Sequence, residues 1–283
     1  MKALMLFFYD VGLNGKPCSG FLAGTLYAYR EVGKQKNEII ITGGITMLVK
    51  NWMSKNVITV DVNDSMAHAS ELLKENHIRG LPVMKNGKLV GVVTDRDLKK
   101  ASASDANTLD IHELLYLIAK IKIKEVMTKN PITIPFEYTV EEAAEILLDN
   151  KLSGAPVVND KGDVVGIITQ ADIFRVLVSL TGVRTKGIQL GFLLEDRPGS
   201  IKEVADIIRT YNCRMISIMS TGADQEGYRY VYIRACDCDR ERLEQLKEEL
   251  KAKTNLLYVA DRREEKKEIY QEYARPSATW ITG

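Results

Sequence analysis

The sequence predicts a mixed α/β and α+β chain, two tandem repeats followed by a βαββαβ domain. Three aligned blocks carry the repeat. "VKNWMSKNVITV" (Val49–Val60) lines up with "IKEVMTKNPITI" (Ile123–Ile134), and "RGLPV" (Arg79–Val83) with "SGAPV" (Ser153–Val157). "GVVTDRDL" (Gly91–Leu98) then lines up with "GIITQADI" (Gly166–Ile173), after one inserted residue near Asp160. Same order and near-constant offset mark a duplication. From about Lys186 the pattern changes to strand, helix, two strands, helix, strand. At 283 residues the chain has length for two or three small domains with real cores.

Within each repeat a short strand (Val57–Val60; Ile132–Ile134) leads into an amphipathic helix. In the second copy Thr139 and Glu142 form a capping-box pattern ahead of Val140, Ala143, Ala144 and Leu147. In the first, Asp64 or Ser65 caps a helix that buries Met66, Ala69 and Leu73. Two β-branched strands follow in each copy, joined by the turn chemistry of "KNG" (Lys85–Gly87) and "NDKG" (Asn159–Gly162). Thr-x-x-Asp then opens another helix. Between the copies, "SASDAN" (Ser102–Asn107) loops into a helix striped with Ile111, Leu114, Leu115 and Ile118.

In the C-terminal part "IQLGFLLED" (Ile188–Asp196) alternates as a strand and stops at "RPG" (Arg197–Gly199). Ser200 and Glu203 form a second capping-box pattern before the stripe Ile201, Val204, Ala205, Ile208. "CRMISIMST" (Cys213–Thr221) and "GYRYVYIRA" (Gly227–Ala235) read as hairpin strands. A charged helix (Asp239–Lys253) and a last strand (Asn255–Asp261) complete the order, the ferredoxin-like plan. Residues 1–46 are glycine-rich without a sustained period. Two readings fit them: a poorly ordered extension, or sequence upstream of a true start at Met47. The tail, 262–283, reads as a solvated helix end running into a frayed terminus.

Composition excludes several classes. A net charge of +1 gives no electrostatic pull toward nucleic acid or an anionic membrane. Cys18, Cys213, Cys236 and Cys238 contain no CxxC pair, which predicts unpaired reduced thiols and no metal. "MKALMLFFYD" imitates a signal peptide, but Asp10 ends its apolar run and no small-residue cleavage pattern follows. No stretch approaches the ~18–20 apolar residues of a membrane span. The expected location is cytoplasmic. GxSxG, HExxH, the phosphate-loop motif and GxGxxG after a strand are all absent, so no enzymatic activity is expected.

The chemistry lies in the doubled motif. Thr94 and Thr169 can cap their helices, with Asp97 and Asp172 favoured at the positive helix ends. Held there, each aspartate can accept hydrogen bonds from a ribose diol, and the helix amides can meet a phosphate. Val60, Ile134, Pro82 and Pro156 would line a slot for a flat base. Arg96 offers a phosphate counter-charge where the second copy has Ala171, so the sites are expected to be unequal. His77–Arg79, matching Lys151–Ser153, lines this cleft or ends a helix at the surface. Trp52 reads as packing, and His68 and His112 as non-ligands.

With those residues in view, positions 48–180 resemble a tandem pair of cystathionine-β-synthase (CBS) domains, whose nucleotide motif is G-h-h-T-x-x-D. Residues 187–261 resemble an ACT domain through "LEDRPGS" (Leu194–Ser200). The order CBS–CBS–ACT resembles the acetoin utilisation protein B family. The implied domains are an extension (1–46), CBS domains at 47–108 and 109–182, an ACT domain (187–261) and a tail (262–283). The resemblance implies a pseudo-two-fold disc binding AMP, ATP or another adenosyl compound at Thr94, Arg96, Asp97, Thr169 and Asp172. It implies a possible amino-acid site at Asp196, Pro198, Gly199 and Ile216. It further implies a homodimeric regulatory protein acting on an unidentified partner in acetoin-type carbon metabolism. The alternatives are an enzyme's regulatory subunit, or a dimerisation scaffold with degenerate sites.

Overall fold

A computed structural model describes residues 46–104 and 120–271, with strand backbone at 4–5, 26–32 and 35–41. The expected stripe Ile111–Ile118, His112, Cys18 and residues 272–283 lie outside the described residues. The chain divides into two compact units, Met1–Val176 and Leu177–Gly283. In the first unit, β1 (Leu4–Met5), β2 (Leu26–Val32) and β3 (Gln35–Ile41) pair antiparallel in that order.

Repeat one comprises α1 (Val49–Trp52), β4 (Val60–Asp61), α2 (Met66–Glu75), β5 (Gly80–Lys85), β6 (Lys88–Thr94) and α3 (Asp95–Ser104). Repeat two has α4 (Ile123–Val126), β7 (Thr128–Lys129), β8 (Ile134–Pro135), α5 (Val140–Asp149), β9 (Gly154–Val158), β10 (Val164–Thr169) and α6 (Gln170–Leu180). The strands expected from Val57 and Ile132 are shorter, starting at Val60 and Ile134. Ser65, not Asp64, caps α2, its Oγ accepting from His68 N at 3.2 Å. The capping box on α5 forms as expected: Glu142 N donates to Thr139 Oγ1 at 3.2 Å, and Thr139 N to Glu142 Oε2 at 2.7 Å.

The two repeats exchange their lead-in segments. Val49 N donates to Tyr138 O and Lys50 N to Phe136 O, both in repeat two. Reciprocally, Ile123 N donates to Asp64 O and Lys124 N to Val62 O, both in repeat one. Val49 is fully buried in the cluster of Ile134, Ala143, Leu147, Ala155, Val157 and Ile168, while Ile123 is fully buried in the cluster of Val60, Met66, Leu81 and Val93. This exchange explains the first glycine of each GhhT block. A methyl at Gly91 would stand 2.6 Å from Met127 Sδ, and one at Gly166 would collide with Met53 Sδ.

The second unit holds β11 (Ile188–Glu195), α7 (Ser200–Thr210), β12 (Arg214–Gly222), β13 (Tyr228–Cys236), α8 (Leu243–Lys253), β14 (Leu256–Asp261) and β15 (Lys266–Ile269). Its sheet runs β12-β13-β11-β14-β15, antiparallel throughout. The first four strands realise the ferredoxin-like order. Leu190, Phe192, Val231 and Ile233 pack on Val204 and Ile208 of α7 and Leu246 and Leu250 of α8.

Three expectations are corrected here. The charged run after Arg262 is not a helix end; Lys266–Ile269 adds a fifth strand. Its anchor is Glu268, which accepts from Lys247 Nζ (2.8 Å) and Tyr270 Oη (2.6 Å). Cys213 and Cys238 are not free thiols but a disulfide, because the β12–β13 pairing of Arg214 with Cys236 brings the hairpin's open end together, Cα to Cα 4.0 Å. Cys236 is buried outside this disulfide, its thiol donating to Asp237 Oδ2 at 3.1 Å. Finally, Ser200 and Glu203 form no capping box. Gly199, at φ +92°, is the N-cap, and Arg197 takes the Glu203 carboxylate through two bonds of 2.8 Å. A charge-assisted fork outcompetes a backbone amide.

Two outcomes test this packing. Gly166→Ala is expected to cost about 1–3 kcal/mol through overpacking. Much of that should return in Gly166→Ala/Met53→Ala, read by thermal denaturation; equal stability of Gly166→Ala and wild type would refute the contact. Lys247, then Tyr270 and Lys266, hold the Glu268 carboxyl at about 2, below its ordinary 4.5. A depressed carboxylate stabilises the fold above the ordinary value and loses that contribution as pH falls from 4.5 toward about 2. Glu268→Gln should therefore flatten the acid limb of a circular-dichroism pH titration across that window.

Candidate functional site

The doubled motif sits where β6 enters α3 and β10 enters α6. Thr94 N and Oγ1 donate to Asp97 Oδ2 at 2.9 and 2.6 Å, and Asp97 N donates to Thr94 Oγ1 at 3.3 Å. In the second copy Thr169 N and Oγ1 donate to Asp172 Oδ2 at 2.8 and 2.6 Å, and Asp172 N returns to Thr169 Oγ1 at 3.3 Å. Each pair is thus a capping box with aspartate as its acid. One carboxylate oxygen does the capping and the other is left for something else.

That second oxygen distinguishes the copies. Asp97 is half-buried, and its Oδ1 has no hydrogen-bond partner among the described residues. Asp172 is 1% exposed and its Oδ1 accepts from Arg175 Nη1. Charge follows the same asymmetry. Asp95 N donates to Arg79 O at 3.1 Å, which sets Arg79 beside the first motif. Ser153 holds that place in the second copy, accepting from Gln170 N at 3.0 Å. Arg79 and Arg96 are both exposed at the first motif. His77 and Lys151 occupy matching left-handed turns, φ +51° and +54°, at the helix ends.

Of the expected slot residues, Pro82 pairs with Val92 and Gly80 with Thr94, so Pro82 and Thr94 share a strand face; Pro156, opposite Ile167, shares one with Thr169. Val60 and Ile134 pair with Val83 and Val157 and lie in the two apolar cores, 2% and 0% exposed. Their side chains serve packing rather than the motif face. Trp52 is buried against Val140 and Val176, with Nε1 donating to Thr46 O, so it packs as expected.

In the second unit, Asp196, Pro198 and Gly199 come together with Ser200, Lys202 and Arg229 around a cleft of about 360 Å³. Arg229 Nε stands 3.1 Å from Asp196 Oδ1. The Arg197 guanidinium beside Glu203 holds that carboxyl below its ordinary value. Ile216 is not in this cleft; it packs where a side chain on Gly182 would stand. Sequence reasoning missed Arg175 and Arg229. Helical spacing from Asp172 could have indicated Arg175, whereas Arg229 reaches the loop only through its register opposite Leu194. Among the described residues no His, Cys, Asp and Glu group is placed to hold a metal, and no helix is long and apolar enough to cross a membrane.

Two capped aspartates on duplicated strand–helix junctions, followed by a βαββαβ unit, define a chain of two tandem repeats and one ferredoxin-like domain. Residues 49–104 and 123–179 match the CBS domain, and residues 188–254 match the ACT domain. The chain belongs to the CBS domain-containing proteins. It is 33% identical over 135 residues to a CBS domain-containing protein of Dictyostelium discoideum, covering 47% of this chain and 93% of that one. It is 35% identical over 125 residues to inosine-5'-monophosphate dehydrogenase of Korarchaeum cryptofilum, covering 44% of this chain but 23% of the dehydrogenase. Among solved structures, a CBS domain pair in complex with 5-methylthioadenosine and S-adenosyl-L-methionine shares 37% identity, covering 46% of this chain and 98% of that one, with a TM-score of 0.40.

Proposed function

We propose that this chain is a non-enzymatic regulatory protein whose CBS pair binds an adenosyl nucleotide, principally at the first motif. The observation that carries the reading is Asp97: Thr94 fixes one carboxylate oxygen and leaves the other accessible to a ribose diol. Arg79 and Arg96 supply positive charge for a phosphate at the same mouth, and the α3 amides add the helix-end field. At the second motif the Arg175 bond must open before Asp172 can accept a ribose hydroxyl, so that site binds more weakly. Pro82 and Pro156 lie on the motif faces and suit a flat base.

The ACT loop supports an amino acid as second effector. Asp196 suits an ammonium group, while Arg229 and the amides after Gly199 suit a carboxylate. Ligand affinity that differs between two arrangements of the chain would shift their populations, typically by 1–3 kcal/mol of coupling. The output is control of a partner protein by a homodimer. Acetoin-type carbon metabolism and a cytoplasmic location complete the reading from the domain order. An enzyme's regulatory subunit is the second reading, supported by the likeness to 23% of a dehydrogenase's length.

Calorimetry with AMP, ATP and S-adenosylmethionine tests the site. Asp97→Ala is expected to weaken nucleotide binding at least about tenfold, the value of one charge-assisted hydrogen bond. Arg175→Gln should strengthen the second site toward the first. Undiminished binding by Asp97→Ala/Asp172→Ala would overturn the assignment.

A further inference from the structure

The helices α7 and α8 cover one face of the C-terminal sheet, and the opposite face carries a different chemistry. Strand alternation turns Tyr232 and Arg234 of β13 to it, with Gln189 and Gly191 beside them on β11 and Tyr258 on β14. Gly191 pairs with both Tyr232 and Tyr258, and its missing side chain lets the Tyr258 ring lie across it. The two rings stand 6.5 Å apart. Neither hydroxyl has a hydrogen-bond partner among the described residues.

Arg234 is the unusual group. It is 4% exposed, yet no carboxylate among the described residues bonds it. Nε donates to Thr181 O at 2.7 Å and Nη2 to Gln189 Oε1 at 2.9 Å, both neutral acceptors. Nη1 is buried and meets no acceptor among the described residues. Its charged neighbour is a second cation, Arg262, and burial followed by that repulsion pushes the Arg234 guanidinium down. A buried unpaired charge is costly, and a guanidinium fork is shaped for an oxyanion.

What closes this face is a strap of main chain. Thr181 O also accepts from Ser217 Oγ at 3.1 Å, Gly182 packs on Ile216, and Val183 O accepts from Arg262 Nη1. Arg234, Ser217 and Arg262 thus grip the segment Thr181–Val183 from the sheet through its carbonyls, while its amides bond back to Leu177 and Ser179. An ionised carboxylate or phosphate oxygen meets the guanidinium with a full opposite charge, where the carbonyl it would replace offers only a dipole.

We propose that the helix-free face of the C-terminal sheet is an oxyanion-binding site centred on Arg234, with the Tyr232 and Tyr258 hydroxyls as further donors and the Thr181–Val183 strap as its displaceable cover. The ligand class is a small carboxylate or a phosphate, and its arrival releases the strap. The site shares no residue with the Asp196 loop or the Thr94–Asp97 motif, and is proposed irrespective of either being occupied.

Hydrogen–deuterium exchange of residues 181–186 in the full chain reads the strap directly. Acetate and inorganic phosphate are added in separate arms at constant ionic strength, with chloride as the reference. Exchange is expected to accelerate about tenfold in at least one arm, the factor for trading a guanidinium–carbonyl bond for a guanidinium–anion pair. Acetate alone identifies a carboxylate site, and phosphate alone a phosphate site. Arg234→Met should exchange fast in chloride and show no anion response. Tyr258→Phe, which keeps the strap and the packing, should need about fivefold more anion, the value of one hydrogen bond. No anion response in wild type overturns the proposal. So does a response that survives Arg234→Met but is lost in Arg229→Gln, which would place the anion at the loop.

Discussion

Neither CBS repeat completes its own core. The helical turn that begins with Val49 closes the second repeat, and the turn that begins with Ile123 closes the first, each residue fully buried. The methionine after each turn lies on the glycine that opens the other repeat's motif strand. A fully buried aliphatic side chain contributes about 1.5–3 kcal/mol, so an isolated repeat would lose a substantial part of a marginal stability. The pair is therefore the folding unit, and the two Thr-x-x-Asp junctions are held in place from both sides.

On that shared frame the two junctions are nearly identical in geometry and different in electrostatics. Their capping distances agree within 0.1 Å, because the cap is a local requirement of starting a helix after a strand. What differs is what surrounds the free carboxylate oxygen. Arg175 neutralises a buried Asp172, whereas Asp97 stays half-buried beside the exposed Arg79 and Arg96. Duplication preserved the structural role and left the charges free to diverge. The "TDRD" and "TQAD" contrast pointed to this asymmetry through Arg96. The larger cause is Arg175, on the other copy.

In the C-terminal unit charged groups redirect elements that pattern alone assigns otherwise. The Ser200 and Glu203 spacing is that of a capping box, yet Arg197 claims the glutamate and Gly199 makes the turn. A run of lysines and glutamates after Arg262 reads as solvated helix, yet Lys247 rises from α8 to Glu268 and fixes a fifth strand. In both cases the deciding partner lies on a neighbouring segment, and a paired charge outweighs a weak local preference.

The sequence by itself determined what depends on near neighbours. The duplication, the ferredoxin-like order, the Thr139 cap, a cap at Asp64 or Ser65 and the Asn-Gly turn all follow from periodicity and chemistry within one or two turns of chain. The Thr–Asp pairs were legible for the same reason, and the resemblance supplied their ligand class. Tertiary structure alone decided the exchange of lead-in segments, the Cys213–Cys238 bond, the burial of Val60 and Ile134, the displacement of Ile216 from the loop and the strap over Arg234. Each of these joins residues that only strand register or cross-repeat packing brings together, and such contacts leave no period in the sequence. A chain writes its local preferences residue by residue, whereas the partner of a buried side chain is chosen by whatever the completed fold places opposite it.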